Sequence, residues 1–136
     1  MYNMKKLLLP AISLTLASAI LCGCSRLSSE AKEMIGNYYI PEVSQDLPLM
    51  ELNSDGTCVM RAIKPGVLTI SVPGKWNVLR DTLFIENTPT ELTAEGDTTL
   101  IGNIPENMAK AVINFSGVTL TLESDGVQYV YLRRSN

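Results

Sequence analysis

From Gly36 to the C-terminus, short apolar-rich runs of about five to eight residues alternate with turn residues, and this punctuation constrains the fold more than any other feature. The runs are Asn37 to Ile40, Leu47 to Asn53, Thr57 to Ile63, Val67 to Val72, Lys75 to Leu79, Thr82 to Glu86, Thr98 to Ile101, Ala111 to Phe115, Val118 to Glu123 and Val127 to Arg133. Between them stand Ser54-Asp55-Gly56, Pro65-Gly66, Pro73-Gly74, Arg80-Asp81 and Asp125-Gly126. Runs of this length between turn signals are strands, and many of them in one short chain make a sandwich or a barrel. A loop rich in Thr, Glu and Pro spans Asn87 to Asp97, and Pro105 to Lys110 suits one helical turn with Pro at its start. Upstream, Ser28 or Ser29 caps a short helix that runs through Ala31, Met34 and Ile35 to Gly36.

Alternation says which way the strands face. Val118, Leu120 and Leu122 share one face, with Thr119, Thr121 and Glu123 on the other. The last run is apolar on both faces, with Val127, Tyr129 and Tyr131 on one and Val130 and Leu132 on the other, so it reads as central or covered. Two hairpins resemble each other, residues 50–57 and residues 120–127, each turning at Asp-Gly, where glycine accepts a positive φ without steric cost. A closed barrel of such strands has no exposed edges.

Residues 1–24 have a different character. Lys5 and Lys6 precede an apolar run from Leu7 to Leu21, long enough for a signal peptide and shorter than the roughly 20 residues of a membrane span. Leu21-Cys22-Gly23-Cys24 resembles a lipobox, with Gly23 as the small residue before the cut and Cys24 as the acylated thiol. The resemblance implies a signal peptide over 1–23, a lipidated N-terminus and tether over 24–33, and a β domain over 34–136. Several acyl chains make membrane dissociation negligible. Ser25 stands where Asp would mark inner-membrane retention, and 25–33 lack an acidic export run. The expected location is therefore the outer membrane, facing the periplasm.

Composition excludes several functions. Cleavage leaves about 113 residues, one domain's worth. Loss of Lys5 and Lys6 leaves nine of the 11 basic residues against all 14 acidic ones, moving the net charge from −3 to −5. Such a surface repels phosphate backbones, so no nucleic-acid partner is expected. There is no histidine, which removes the commonest general base and zinc ligand. With Cys24 acylated, Cys58 has no intrachain partner, and as a neighbour of Met60 and Ala62 on one face it reads as a buried thiol. Glu51 to Gly56 imitates the start of a calcium loop, but its twelfth position is Ala62 where a bidentate Glu is required. Glu91 and Glu95 lie in a polar loop. The expectation is a non-enzymatic chain with no metal and no cofactor.

Tyr38, Trp76, Tyr129 and Tyr131 are the candidate ligand-binding residues. Inside a barrel they either line a site, with flat area plus hydroxyl and indole donors, or simply pack as core.

A family resemblance enters through Gly36-Asn37-Tyr38, which opens the first strand after the short helix, and Arg133-Arg134, which close the last. This resembles the lipocalin pattern, in which a Gly-x-Trp near the start packs against an Arg near the end, although Tyr38 replaces the Trp. A Gly-x-Trp does occur mid-chain, at Gly74-Lys75-Trp76. Together with Leu52-x-x-Asp55-Gly56-Thr57 and the closing Leu-Thr-Leu and Tyr-x-Tyr-x-Arg, the chain is similar to small lipocalin-like lipoproteins of Gram-negative bacteria over residues 34–134. The resemblance implies an all-β fold, an up-and-down antiparallel barrel of about eight strands with a short N-terminal helix, and a small apolar ligand. A barrel of such short strands is alternatively filled by its own side chains. In that case the chain serves as a protein-interaction or envelope-assembly module.

Overall fold

The computed structural model describes residues 26–134. The leader and Cys24, on which the lipidation expectation falls, lie outside the described residues. Helix α1 (Ser29–Glu33) leads into β1 (Gly36–Tyr39), β2 (Met50–Leu52), β3 (Thr57–Lys64), β4 (Leu68–Leu79), β5 (Thr82–Asn87), β6 (Thr93–Gly96), β7 (Asn107–Phe115), β8 (Thr119–Ser124) and β9 (Val127–Arg134). Single 3₁₀ turns occupy Pro89–Glu91 and Thr98–Leu100. Among the described residues no helix is long and apolar enough to cross a membrane.

Every strand except β6 pairs antiparallel with the next strand of the ring, and β9 returns to β1. The result is a closed eight-stranded up-and-down barrel with one short helix, as the resemblance implied. Strand β6 is additional. It pairs with the first part of β4, from Leu68↔Gly96 to Ser71↔Thr93, while β5 takes the rest of the same side from Gly74↔Asn87 onwards. Thus β5 and β6 behave as one strand interrupted by residues 88–92.

That interruption explains the largest departure from the sequence reading. Pro73-Gly74 was expected to end a strand, yet β4 runs through it for 12 residues. The Pro73 carbonyl accepts from Thr88 N, so its nitrogen faces the same side, at the gap between the two ladders where no bond needs a donor. Gly74 is required for a second reason: a Cβ there would lie 2.4 Å from the Glu86 carbonyl oxygen, closer than any side chain tolerates.

Other expectations shift similarly. Thr93–Gly96 is a strand inside the expected loop, and Thr98–Leu100 is a 3₁₀ turn in place of a strand, capped by Asp97. Residues 107–110 begin β7 instead of completing a helical turn, because pairing with β5 outweighs local preference. The similar hairpins also differ. Asp125-Gly126 forms a two-residue turn with both φ positive, whereas 53–56 is a longer turn in which the Asp55 carboxylate accepts from the Thr57 amide and hydroxyl.

Most of the inward residues pack into one buried cluster. Tyr38, Met50, Leu52, Cys58, Trp76, Val78, Leu83, Ile85, Leu120, Leu122 and Tyr131 meet Leu27, Ala31 and Met34 from the helical segment. Leu27 and Ala31 were expected in the tether; their burial makes them part of the domain. Val130 and Leu132 were expected to be covered but stand exposed on the outer wall of β9, which is central in the sheet only.

Candidate functional site

The barrel has two unlike ends, and each follows from a few side chains. At the first, α1 closes the interior. Ser28 is the N-cap: its Oγ accepts from Ala31 N at 2.9 Å and donates to the Val78 carbonyl, and its own amide donates to Asn77 Oδ1 at 3.0 Å. The helix is thereby fastened to the end of β4. Arg133 fastens its other side by donating to the carbonyls of Glu33 at 2.8 Å and Ile35 at 3.2 Å, while its guanidinium lies 5.4 Å from the Phe115 ring centre. The Arg133 stem fills the space over Gly36, where a Cβ would come within 2.8 Å of its Cδ. Tyr38 is the cross-strand partner of Arg133 and donates its hydroxyl to the Met34 carbonyl at 2.7 Å. The Gly-x-Tyr and closing Arg picked out in the sequence therefore meet at the sealed end.

Three of the four candidate aromatic residues belong to this packed interior. Tyr38, Trp76 and Tyr131 sit in the same cluster, and Trp76 Nε1 donates to the Asn53 carbonyl at 2.9 Å. Burial pushes the Tyr131 phenol up to about 12, with nearby Tyr129 adding to the shift. The Tyr38 phenol is raised by burial and partly drawn back by Arg133. Tyr129 stands apart, 40% exposed, with Lys110 Nζ 5.6 Å from its ring centre. Burial lowers the Lys110 amine below its ordinary range, and Asp125 opposes that shift. Cys58 is buried and its thiol is pushed up to about 12, so it is not a nucleophile at neutral pH.

At the second end, β3 and β4 extend past the ring, and β6 widens them into a three-stranded flap. The flap carries a small core of its own: Leu68, Ile70 and Val72, against Leu92, Ala94, Ile101 and Ile104. The segment between β6 and β7 folds back over it, held where Asn87 Nδ2 donates to the Pro105 carbonyl and Asn87 N to the Glu106 carbonyl. Between flap and segment lies a groove of about 330 Å³, whose wall includes Ala62, Leu68, Ile70, Leu100, Gly102 and Ile104, with Lys64 and Asn103 among its polar members. None of the four candidate aromatic residues lines it. Sequence reasoning misses this site because Leu100 and Ile101 fall in an expected strand and Ile104 lies between expected elements. The usable signal was three large aliphatic residues crowded into an otherwise polar stretch. Among the described residues no cluster of His, Cys, Asp and Glu could hold a metal ion.

No family model matches the chain, and no curated protein matches it. Among solved structures it is similar to a lipocalin-like protein from Bacteroides uniformis, at 12% identity and a TM-score of 0.40, over 75% of this chain and 99% of that one.

Proposed function

We propose that this chain is a lipid-anchored, non-enzymatic binding module that takes a small apolar molecule in the groove at the mouth of its barrel. Cys24 carries the acyl chains, and the domain works in the cell envelope at the periplasmic face of the outer membrane. The observation that carries the binding reading is the contrast inside the barrel. Its interior is occupied by its own side chains, whereas an apolar groove of about 330 Å³, within the size range of small-molecule sites, remains at the mouth. The site is mostly aliphatic, so it suits hydrocarbon or a flat ring better than a polar metabolite.

The test is titration with an apolar naphthylamine dye. The native chain takes it up saturably, and Leu100→Asp, which puts a carboxylate on an exposed part of the groove wall, weakens uptake at least about tenfold. Equal uptake by both proteins would remove the groove as the site. One observation favours a second reading, an envelope-assembly module: β6 is an edge strand of an otherwise closed sheet, and a partner strand can add there. A photo-crosslinker at Thr93 that captures one defined envelope protein, together with absent dye uptake, would favour that reading.

A further inference from the structure

The start of the described chain limits how far the barrel can stand from whatever holds Cys24. Leu27 is buried in the core and Ser28 is bonded to Asn77 and Val78. Only Ser25 and Arg26 separate Leu27 from Cys24. Three residue steps reach at most about 11 Å, even fully extended. A domain tied that closely does not drift on a leash.

The end it enters carries an apolar collar; the mouth also exposes Leu47, Val67, Leu100 and Val127, so the short tether decides which end meets the membrane. Leu79, Ile113, Val118 and Leu132 are 46%, 48%, 61% and 37% exposed. Hydrogen bonds place them near α1. Glu30 accepts from the amides of Arg80 and Asp81, next to Leu79, and the Asp81 carbonyl accepts from Val112 N, next to Ile113. Arg133, whose guanidinium holds the end of α1, donates its amide to the Val118 carbonyl, and Leu132 pairs with Thr119 beside it. Exposed Arg26, Lys32 and Arg80 stand at the same end, and their long stems can lie along lipid while the charge stays in water. Glu30, Glu33 and Asp81 share that end, so the contact rests on the collar and the anchor rather than on net charge.

We propose that this end of the barrel sits directly on the bilayer that holds the Cys24 acyl chains, with the collar at the headgroup boundary and the mouth groove turned to the aqueous side. The placement rests on the lipid anchor of the proposed function. It makes the groove a receiver of molecules from the aqueous compartment or from a facing partner, and not from the membrane the protein is tied to.

The experiment uses the mature acylated protein, from Cys24 onwards, in phosphatidylethanolamine and phosphatidylglycerol vesicles that carry a nitroxide quencher on the lipid. A fluorophore is attached at Val118→Cys and, separately, at Asn103→Cys on the mouth segment. Cys58 stays unlabelled because it is buried and its thiol is protonated. Quenching is expected to be severalfold stronger at position 118 than at 103. Leu79→Cys repeats the measurement on another part of the collar should the first variant fail to fold. An acylated mass at Cys24 with equal or reversed quenching overturns the placement and leaves the anchor standing. A mass without acyl groups overturns both.

Discussion

The sealed end and the mouth of this barrel use apolar side chains in opposite ways. At the sealed end, Leu27, Ala31 and Met34 complete a single cluster with the barrel wall, and the Tyr38 hydroxyl, Trp76 Nε1, Ser28 Oγ and Arg133 Nη1 all donate to backbone carbonyls. At the mouth, Leu68, Ile70 and Val72 pack against partners that are only partly buried, and Leu100 is half exposed. On the proposed function, the difference separates the residues that stabilise the fold from those that bind. Apolar groups that are fully removed from water hold the fold together, at about 1.5–3 kcal/mol for each large side chain. Those left half covered at a concave surface still have apolar area to bury, which the proposed function assigns to a ligand.

Substitutions at the two ends should separate along this line. The largest effect belongs to Trp76→Ala, which empties the centre of the sealed half and leaves the Asn53 carbonyl without its donor. Urea unfolding should show a loss of about 3–5 kcal/mol, and a loss below about 1 kcal/mol would mean the interior is not packed as described. Arg133→Ala comes next. It removes two charge-assisted hydrogen bonds to the end of α1 and should cost about 1.5–3 kcal/mol while leaving dye uptake per folded molecule unchanged.

A third test uses pH. Cys58 has an ordinary thiol value of 9.0 that burial raises to about 12, and Tyr131 is raised from 10.0 to about 12. Both groups are neutral when protonated, and the fold prefers that form. Their contribution is therefore fully present below pH 9 and is lost as pH rises towards 12, because the unfolded chain releases the protons first. Stability should fall by about 1.4 kcal/mol per pH unit for each group across its own window. Replacing Cys58 by Ala should flatten the slope just above pH 9, and an unaltered slope would show that the thiol is not buried. Smallest is Leu100→Asp at the mouth, which should shift stability by no more than about 0.5 kcal/mol although it weakens dye uptake.

The sealed end was largely legible from the sequence. Ser28 was a cap candidate, Gly36 and Arg133 were picked out by the resemblance, and Asp55-Gly56 marked the hairpin at this end because turn chemistry is local, as Asp125-Gly126 did for the β8–β9 turn at the other. The mouth was not. Pro73-Gly74 looks like a turn to any local rule. Only the gap between β5 and β6, a feature of pairing between distant residues, lets Pro73 sit inside a strand. Likewise Asn107 to Lys110 extends because β5 lies beside it, and Thr93–Gly96 because β4 does. The groove is built from those long-range pairings, so its lining could not be read from spacing, whereas the aromatic residues that composition singled out went mainly to the core.

The chain's one tryptophan allows the central claim, a full interior with a receptive mouth, to be tested directly. Trp76 and Ile70 both point inward from β4, six residues apart, which is about 20 Å along a strand. A brominated alkane titrated into the protein, with occupancy followed by native mass spectrometry, should bind without changing Trp76 emission. Emission that falls in proportion to occupancy would place the ligand inside the barrel and contradict the account.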